Sequence, residues 1–284
     1  MVGTLLLPLL TLTQTLDSTY DRRALWLAHG PGATGVVQGM GTQAASVGGG
    51  TFAPGTDLFE TATDRIRYES GASRTGFKRY TVFGGLQLAG MLATMSYYGG
   101  RHHPKWKPGF GIGLPVATFA VGWVGQVHAT RGEDHLRRAM WWYNREFPRT
   151  VADSARANCS YDRCALRIRP RVSSHQLVQG VSEMPVGSAD SQRELFAAAG
   201  DSARAHYDKY RSITESNRHA TRFARIALLG ASVLYAASRN KVARGFSYGL
   251  LFLSYGAGHM TVYGGAQADS ELDQAIWFYN RTLP

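Results

Sequence analysis

The sequence is poor in the residues that mark common functional classes. Cysteine occurs only as Cys159 and Cys164, in CSYDRC. That excludes a disulfide-dense scaffold and, with no second Cys/His pair at ligand spacing, a zinc site. The spacing permits one short disulfide in an oxidising compartment or two unpaired thiols. Lysine is scarce, so arginine carries most of the formal charge of +11. Such a balance suits nucleic acid, anionic lipid or an acidic partner. No basic helix or aromatic stacking motif accompanies it, so nucleic acid is not expected as a partner. His-Glu-x-x-His is missing, and neither a nucleophile elbow nor a dinucleotide-binding unit is read from the chain. GVVQGMGT is followed by no Gly-Lys-Ser/Thr, so its glycines read as a turn or loop. Leu5 to Leu12 has the length of a signal-peptide core but lacks the basic residues that precede one. Residues 1–16 are therefore read as a signal-like apolar N-terminus that directs export of the adjoining polar segment.

What is present is repetition. Tyr20-Asp21-Arg22-Arg23-Ala24-Leu25 returns 141 residues later as Tyr161-Asp162-Arg163-Cys164-Ala165-Leu166. Val37-Gln38-Gly39 returns as Val178-Gln179-Gly180 at the same spacing, and Leu58-Phe59 as Leu195-Phe196 at 137. Phe77, Arg79 and Gly84 match Phe223, Arg225 and Gly230 at 146. At 136, Gly109, Gly113 and Gly122 match Gly245, Gly249 and Gly258. At 136 again, Trp141-Trp142-Tyr143-Asn144 matches Trp277-Phe278-Tyr279-Asn280. Ordered matches at nearly constant spacing define a tandem duplication, with units at 17–150 and 151–284.

Each unit opens with alternating and Gly/Pro-punctuated segments that predict two or three short strands, followed by a helix. Uncharged stretches come next: Tyr80 to Gly100, Pro108 to Thr130 and Gly245 to Ala268. Their length is that of a bilayer span. Gly109/Gly113 and Gly245/Gly249, with Gly122 and Gly258, suit close helix packing. Trp141, Trp142, Tyr143, Trp277, Phe278 and Tyr279 suit an interfacial aromatic belt. The expected fold is therefore an α+β membrane protein, mainly α. Unit 1 comprises a polar domain (17–79), a transmembrane helical hairpin (80–130) and an amphipathic helix (131–148). The corresponding parts of unit 2 are 158–221, 222–266 and 267–284. Arg101, Lys105 and Lys107 in one hairpin loop, and Arg239, Lys241 and Arg244 in the other, place those loops in the cytoplasm and the polar domains outside.

A site used by both units should recur in both. His128 and His259 are weak candidates for ligating haem or a chlorophyll-type pigment, but they are not equivalent positions. Asp21 and Arg22 recur, and one carboxylate beside one guanidinium reads first as a fold-stabilising pair. No catalytic residue, metal or cofactor is assigned. The expected function is a non-catalytic, membrane-anchored accessory or scaffold subunit of a larger bacterial-type assembly, with a respiratory or photosynthetic complex as one host. Its expected partners are other membrane-protein subunits and lipids. The alternative is binding or transport of a lipid or small hydrophobic ligand between the two hairpins.

Overall fold

A computed structural model of the chain describes residues 19–30, 33–40, 45–48, 56–99, 108–147, 159–172, 174–237, 250, 253 and 264–284. It is mostly helical, with two small antiparallel sheets. In order, unit 1 contains α1 (Thr19–Arg23), β1 (Leu25–Gly30), β2 (Ala33–Gln38), β3 (Ala45–Gly48), α2 (Thr56–Glu60), α3 (Asp64–Gly99) and α4 (Pro108–Arg145). Unit 2 contains α5 (Tyr161–Cys164), β4 (Leu166–Arg171), β5 (Ser174–Gln179), β6 (Met184–Pro185), α6 (Ala189–Ala197) and α7 (Asp201–Ala237). A last helix, α8, covers 264–281.

Both units build the same hairpin. Leu25 pairs with Gln38 and Leu27 with Val36 in the first, Leu166 with Gln179 and Ile168 with Leu177 in the second. Alternate side chains point to one face, so Leu25, Leu27 and Val36 are buried in unit 1, and Leu166, Ile168 and Leu177 in unit 2. The Val-Gln-Gly segment ends each hairpin identically. Gly39 and Gly180 have φ of 77° and 67°, a left-handed conformation that a side chain would strain. Their N–H groups donate to the carbonyls of Ala24 and Ala165. A Cβ on Gly180 would stand 2.6 Å from the Arg163 carbonyl oxygen. The preceding glutamines, Gln38 and Gln179, donate to the carbonyls of Arg23 and Cys164.

One asparagine per unit then clips the hairpin to a long helix. Oδ1 of Asn144 accepts from Leu25 N–H at 2.6 Å, while its Nδ2 donates to Leu25 C=O at 2.8 Å. Asn280 makes the same two bonds to Leu166, at 2.7 and 2.9 Å. All of these groups are buried, so the side-chain amide satisfies a strand-end peptide that water cannot reach.

The long helices run across the expected part boundaries. Helix α3 runs 36 residues without a break, joining the last part of the expected polar domain to the first hairpin arm. Helix α4 likewise joins the second arm to the expected amphipathic helix. Neither Arg79–Tyr80 nor Thr130–Arg131 carries a proline that would end a helix there. Helices α3 and α7 both start on aspartate, 137 residues apart, and are 36 and 37 residues long. The match of Phe77, Arg79 and Gly84 at 146 is thus not the one the helices use.

The membrane reading is overturned. Among the described residues no helix is long and apolar enough to cross a membrane. Stretches free of charge still carry Gln87, Thr94, Ser96, Gln126 and many glycines, which dilute their hydropathy. The transmembrane hairpins, the interfacial belt and the assignment of polar domains to the extracytoplasmic side fall with it. Most of Gly245 to Ala268, both basic loops and the N-terminal apolar segment lie outside the described residues.

Glycine instead brings α3 and α4 together. A Cβ on Gly76 would stand 2.7 Å from Gly132 Cα, and one on Gly132 would stand 3.1 Å from the Ser73 carbonyl oxygen. Gly122 lies against Gln87, whereas Gly113 has open space around it. Gly109 belongs to α4, and Gly245, Gly249 and Gly258 lie outside the described residues.

We predict that Asn144→Ala and Asn280→Ala each destabilise the chain by about 1–3 kcal/mol, because each strands one buried N–H and one buried C=O. Urea denaturation of the two variants measures this, and similar losses are expected from the equivalent sites.

Candidate functional site

The repeated residues converge on the junction between the units. Trp141 of α4 packs on Tyr161 of unit 2 with ring centroids 4.9 Å apart. Trp277 of α8 packs on Tyr20 of unit 1 at 5.4 Å. Arg145 reaches Asp162 at 2.5 Å, and Arg281 reaches Asp21 at 2.6 Å. Each of these contacts occurs twice, with the units exchanged. The aromatic close that was expected at a bilayer surface is this junction, where Trp141 and Trp277 are 6% and 2% exposed. Trp142 and Phe278 stand edge-on to them, and Tyr279 is buried while Tyr143 is half-buried.

At the centre, Arg137 of α4 meets Asp273 of α8 at 2.5 Å, with side chains 3% and 8% exposed. These two residues are 136 apart, the same offset that relates Trp141 to Trp277, so they occupy one position of the repeated unit. Arg137 also donates to Glu133 at 2.8 Å. Burial works against both charges. The Asp273 and Glu133 carboxylates nevertheless hold the Arg137 pKa above its ordinary value. Burial is likewise outweighed at Asp273, where Arg137 and His29 keep the carboxyl below the usual carboxylate range.

His29 links Asp273 to β2. Its Nε2 lies 3.1 Å from Asp273 and its Nδ1 lies 3.2 Å from the Thr34 hydroxyl. The order hydroxyl, imidazole, carboxylate resembles that of a nucleophilic relay. The cavity that Asp273 and Arg137 line holds only about 40 Å³, room for water but not for an organic substrate. Arg137 Nη2 also crowds the same imidazole nitrogen at 3.2 Å. The arrangement is a tie between the units.

Two further histidine–carboxylate pairs bind neighbouring helices. His135 of α4 meets Glu69 of α3 at 2.6 Å, and His206 of α7 meets Glu271 of α8 at 2.7 Å. The positions correspond, at offsets of 137 and 136, with the residue types exchanged. Glu271 also takes Lys209 at 2.5 Å. Burial raises its pKa, but Lys209 and His206 together hold it below the ordinary value.

On one flank of the junction, Arg167 bonds Asp134 at 2.7 Å and also Glu183. Glu183 has φ of 53°, a strained conformation for a residue with a side chain. Its carboxylate gathers Arg138, Arg167 and Arg169.

A large cleft lies beside β5 of unit 2. It holds about 1040 Å³ and is lined by Arg171, His175, Tyr210, Asn217, Arg218 and Arg222, among others. His175 Nδ1 is 2.9 Å from Asp269. Burial lowers the His175 pKa, but the hydrogen bond and charge of Asp269 leave it above the usual histidine value.

The expected pigment candidate His128 stacks on Phe83 of α3, with centroids 5.4 Å apart and planes 11° off parallel. His259 lies outside the described residues. Cys159 and Cys164 are joined as a disulfide, with Cα atoms 5.8 Å apart. Among the described residues no group of three or more His, Cys, Asp or Glu could hold a metal ion.

Two glycine patterns are intelligible only on the fold. Gly30-Pro31-Gly32-Ala33-Thr34-Gly35 has the spacing of a dinucleotide fingerprint. It joins β1 to the antiparallel β2, so the helix N-terminus that would receive a pyrophosphate is missing. Gly245-Phe246-Ser247-Tyr248-Gly249 has the Gly-x-Ser-x-Gly spacing and lies outside the described residues.

No protein-family model, no curated protein and no solved structure matches this chain.

We predict strong coupling between Arg137 and Asp273. Arg137→Leu leaves buried Asp273 with His29 alone, and Asp273→Leu leaves buried Arg137 with Glu133 alone. Each loss of the main counter-charge costs about 3–5 kcal/mol, while the double variant costs less than either. Urea denaturation of the three variants completes the cycle. The pH dependence has a defined sign. The Asp273 contribution is present above about pH 3.9 and is lost as pH falls through its depressed folded pKa. The His175 contribution is present below about pH 6.5 and is lost as pH rises through its raised folded pKa. His175→Gln should therefore lower stability by a constant amount below about pH 6.5 and flatten the alkaline side of a stability–pH profile.

Proposed function

We propose that the chain is a non-catalytic scaffold subunit that binds another protein along its α3–α4 hairpin. The observation that carries this reading is the number of large apolar side chains left in solvent on the two helices. Val82, Leu86, Leu88 and Leu92 of α3 are all more than half exposed. So are Val116, Phe119 and Trp123 of α4, with Phe119 at 71%. Scattered exposed apolar residues are ordinary, but several on adjacent helices form a patch of the kind that marks interaction surfaces.

The rest of the hairpin is well supported from within. Glycine contacts fix the crossing of α3 and α4, and Glu69–His135 ties them nearer the sheet. A rigid arm of this kind loses little conformational freedom when a partner covers it. The unit junction, by contrast, is filled by its own aromatic and ionic contacts.

Binding of a lipid or small hydrophobic ligand between hairpins has less behind it. The cleft beside β5 is lined by three arginines, a histidine and an aspartate, a charged lining that does not suit a hydrophobic ligand.

The test is affinity purification of the full chain from its native cells, followed by native mass spectrometry. A protein partner at fixed stoichiometry is expected with the wild type. Leu86→Ser/Phe119→Ser should release it, with little change in stability because both side chains are exposed. Recovery of the chain alone, or the same partner held equally by the double variant, would contradict the reading.

A further inference from the structure

The duplication separates what the fold needs from what one unit has added. Residues that hold hairpin, helix and junction recur in both units, as Asn144/Asn280, Asp21/Asp162, Arg145/Arg281 and Trp141/Trp277 do. The arginines that line the cleft of unit 2 do not recur in unit 1. Arg171 corresponds to Gly30 at an offset of 141, and Arg218 and Arg222 correspond to Thr81 and Gly85 at 137. Unit 1 builds the same hairpin and a first long helix that starts at the matching position without any of these three cations. They are therefore not required by the fold.

The three arginines line one cleft. Among the described residues no carboxylate forms an ion pair with Arg171, Arg218 or Arg222, although many other arginines of the chain are so paired. Arg171 instead donates to Gln176 at 2.6 Å. The one carboxylate in the lining, Asp269, is taken by His175. Three guanidinium groups thus line a shared space whose one described carboxylate, Asp269, is already paired with His175. Neutral hydrogen-bonding groups, Tyr210 and Asn217, stand beside them. The space of about 1040 Å³ is that of a small-molecule site. Guanidinium forks match the paired oxygens of phosphate and carboxylate, and several of them favour a ligand with more than one negative charge.

We propose that the cleft between β5, α7 and α8 is a binding site for a small organic polyanion carrying phosphate or carboxylate groups, one per chain. Arg171, Arg218 and Arg222 neutralise its charge, and Tyr210 and Asn217 orient it. The site lies in unit 2, away from the exposed face of the α3–α4 hairpin, so it stands independently of the scaffold reading.

Isothermal titration of the full chain with inorganic phosphate and, separately, with citrate tests this. A saturable isotherm with one site per chain and a Kd of about 1 mM or tighter is expected for at least one probe. Phosphate alone would identify a phosphorylated ligand, and citrate alone a polycarboxylate; either result supports the site. Arg218→Thr, which installs the unit 1 residue, and Arg222→Gln should each weaken binding about tenfold or more. Arg193→Gln removes one positive charge from α6, outside the cleft, and should leave binding unchanged. Circular dichroism verifies that the variants fold, and the two cleft substitutions give independent readings should one of them misfold. The proposal is overturned if neither probe saturates, if the stoichiometry is two, or if Arg193→Gln weakens binding as much as Arg218→Thr does.

Discussion

The contact on which the structure depends is the buried pair Arg137–Asp273. Two copies of a folding unit that meet about a local two-fold axis bring the same position of each copy face to face. Had both copies kept arginine at this position, two guanidinium groups would share a site with almost no water, and two aspartates would do no better. Opposite charges at equivalent positions turn an unfavourable self-contact into a favourable pair. The cost is specificity for one arrangement, since unit 1 fits unit 2 and not another unit 1. Around this pair the contacts come in exchanged duplicates: tyrosine on tryptophan, aspartate on arginine. Each half supplies the other with the same set of anchors.

Breaking the symmetry at one place permits it to be broken at others. Glu69–His135 and His206–Glu271 connect the same two helical positions with donor and acceptor traded. Arg167, Asp134 and Glu183 form an ionic cluster on one flank. The corresponding flank has Trp26, whose indole N–H donates to Gly39 C=O. The arginines of the unit 2 cleft belong to this second group of residues, free of the demands that keep the anchors alike.

Much of the fold was legible in the chain because the anchors are identical in both halves. Tyr-Asp, Gln-Gly and the closing asparagine recur because each meets a fixed backbone group or partner: a left-handed turn, a strand-end peptide, an arginine of the other half. Comparison of like with like is blind to exchanged pairs, however, so Glu69 against His206 reads as a mismatch although the contact persists. Arg137 against Asp273 reads as a plain difference for the same reason, and thus the central contact was not visible. The uncharged stretches misled because an absence of charge is not high hydropathy. Glycine, threonine and glutamine dilute the hydropathy, and among the described residues no helix is long and apolar enough to cross a membrane. The closing tryptophans were recognised as an apolar cluster, but periodicity cannot tell which surface such a cluster meets.

Native-state hydrogen exchange on the full chain tests the central claim most directly, because it reads the opening of each unit separately. If the Arg137–Asp273 junction makes one cooperative body, the amides of Leu25 and Leu166 and those of the junction halves of α4 and α8 exchange with a common opening free energy. Asp273→Asn would then lower all of them together. Two distinct opening energies, with the unit 1 amides unmoved by Asp273→Asn, would contradict the account and describe two independent units on one chain.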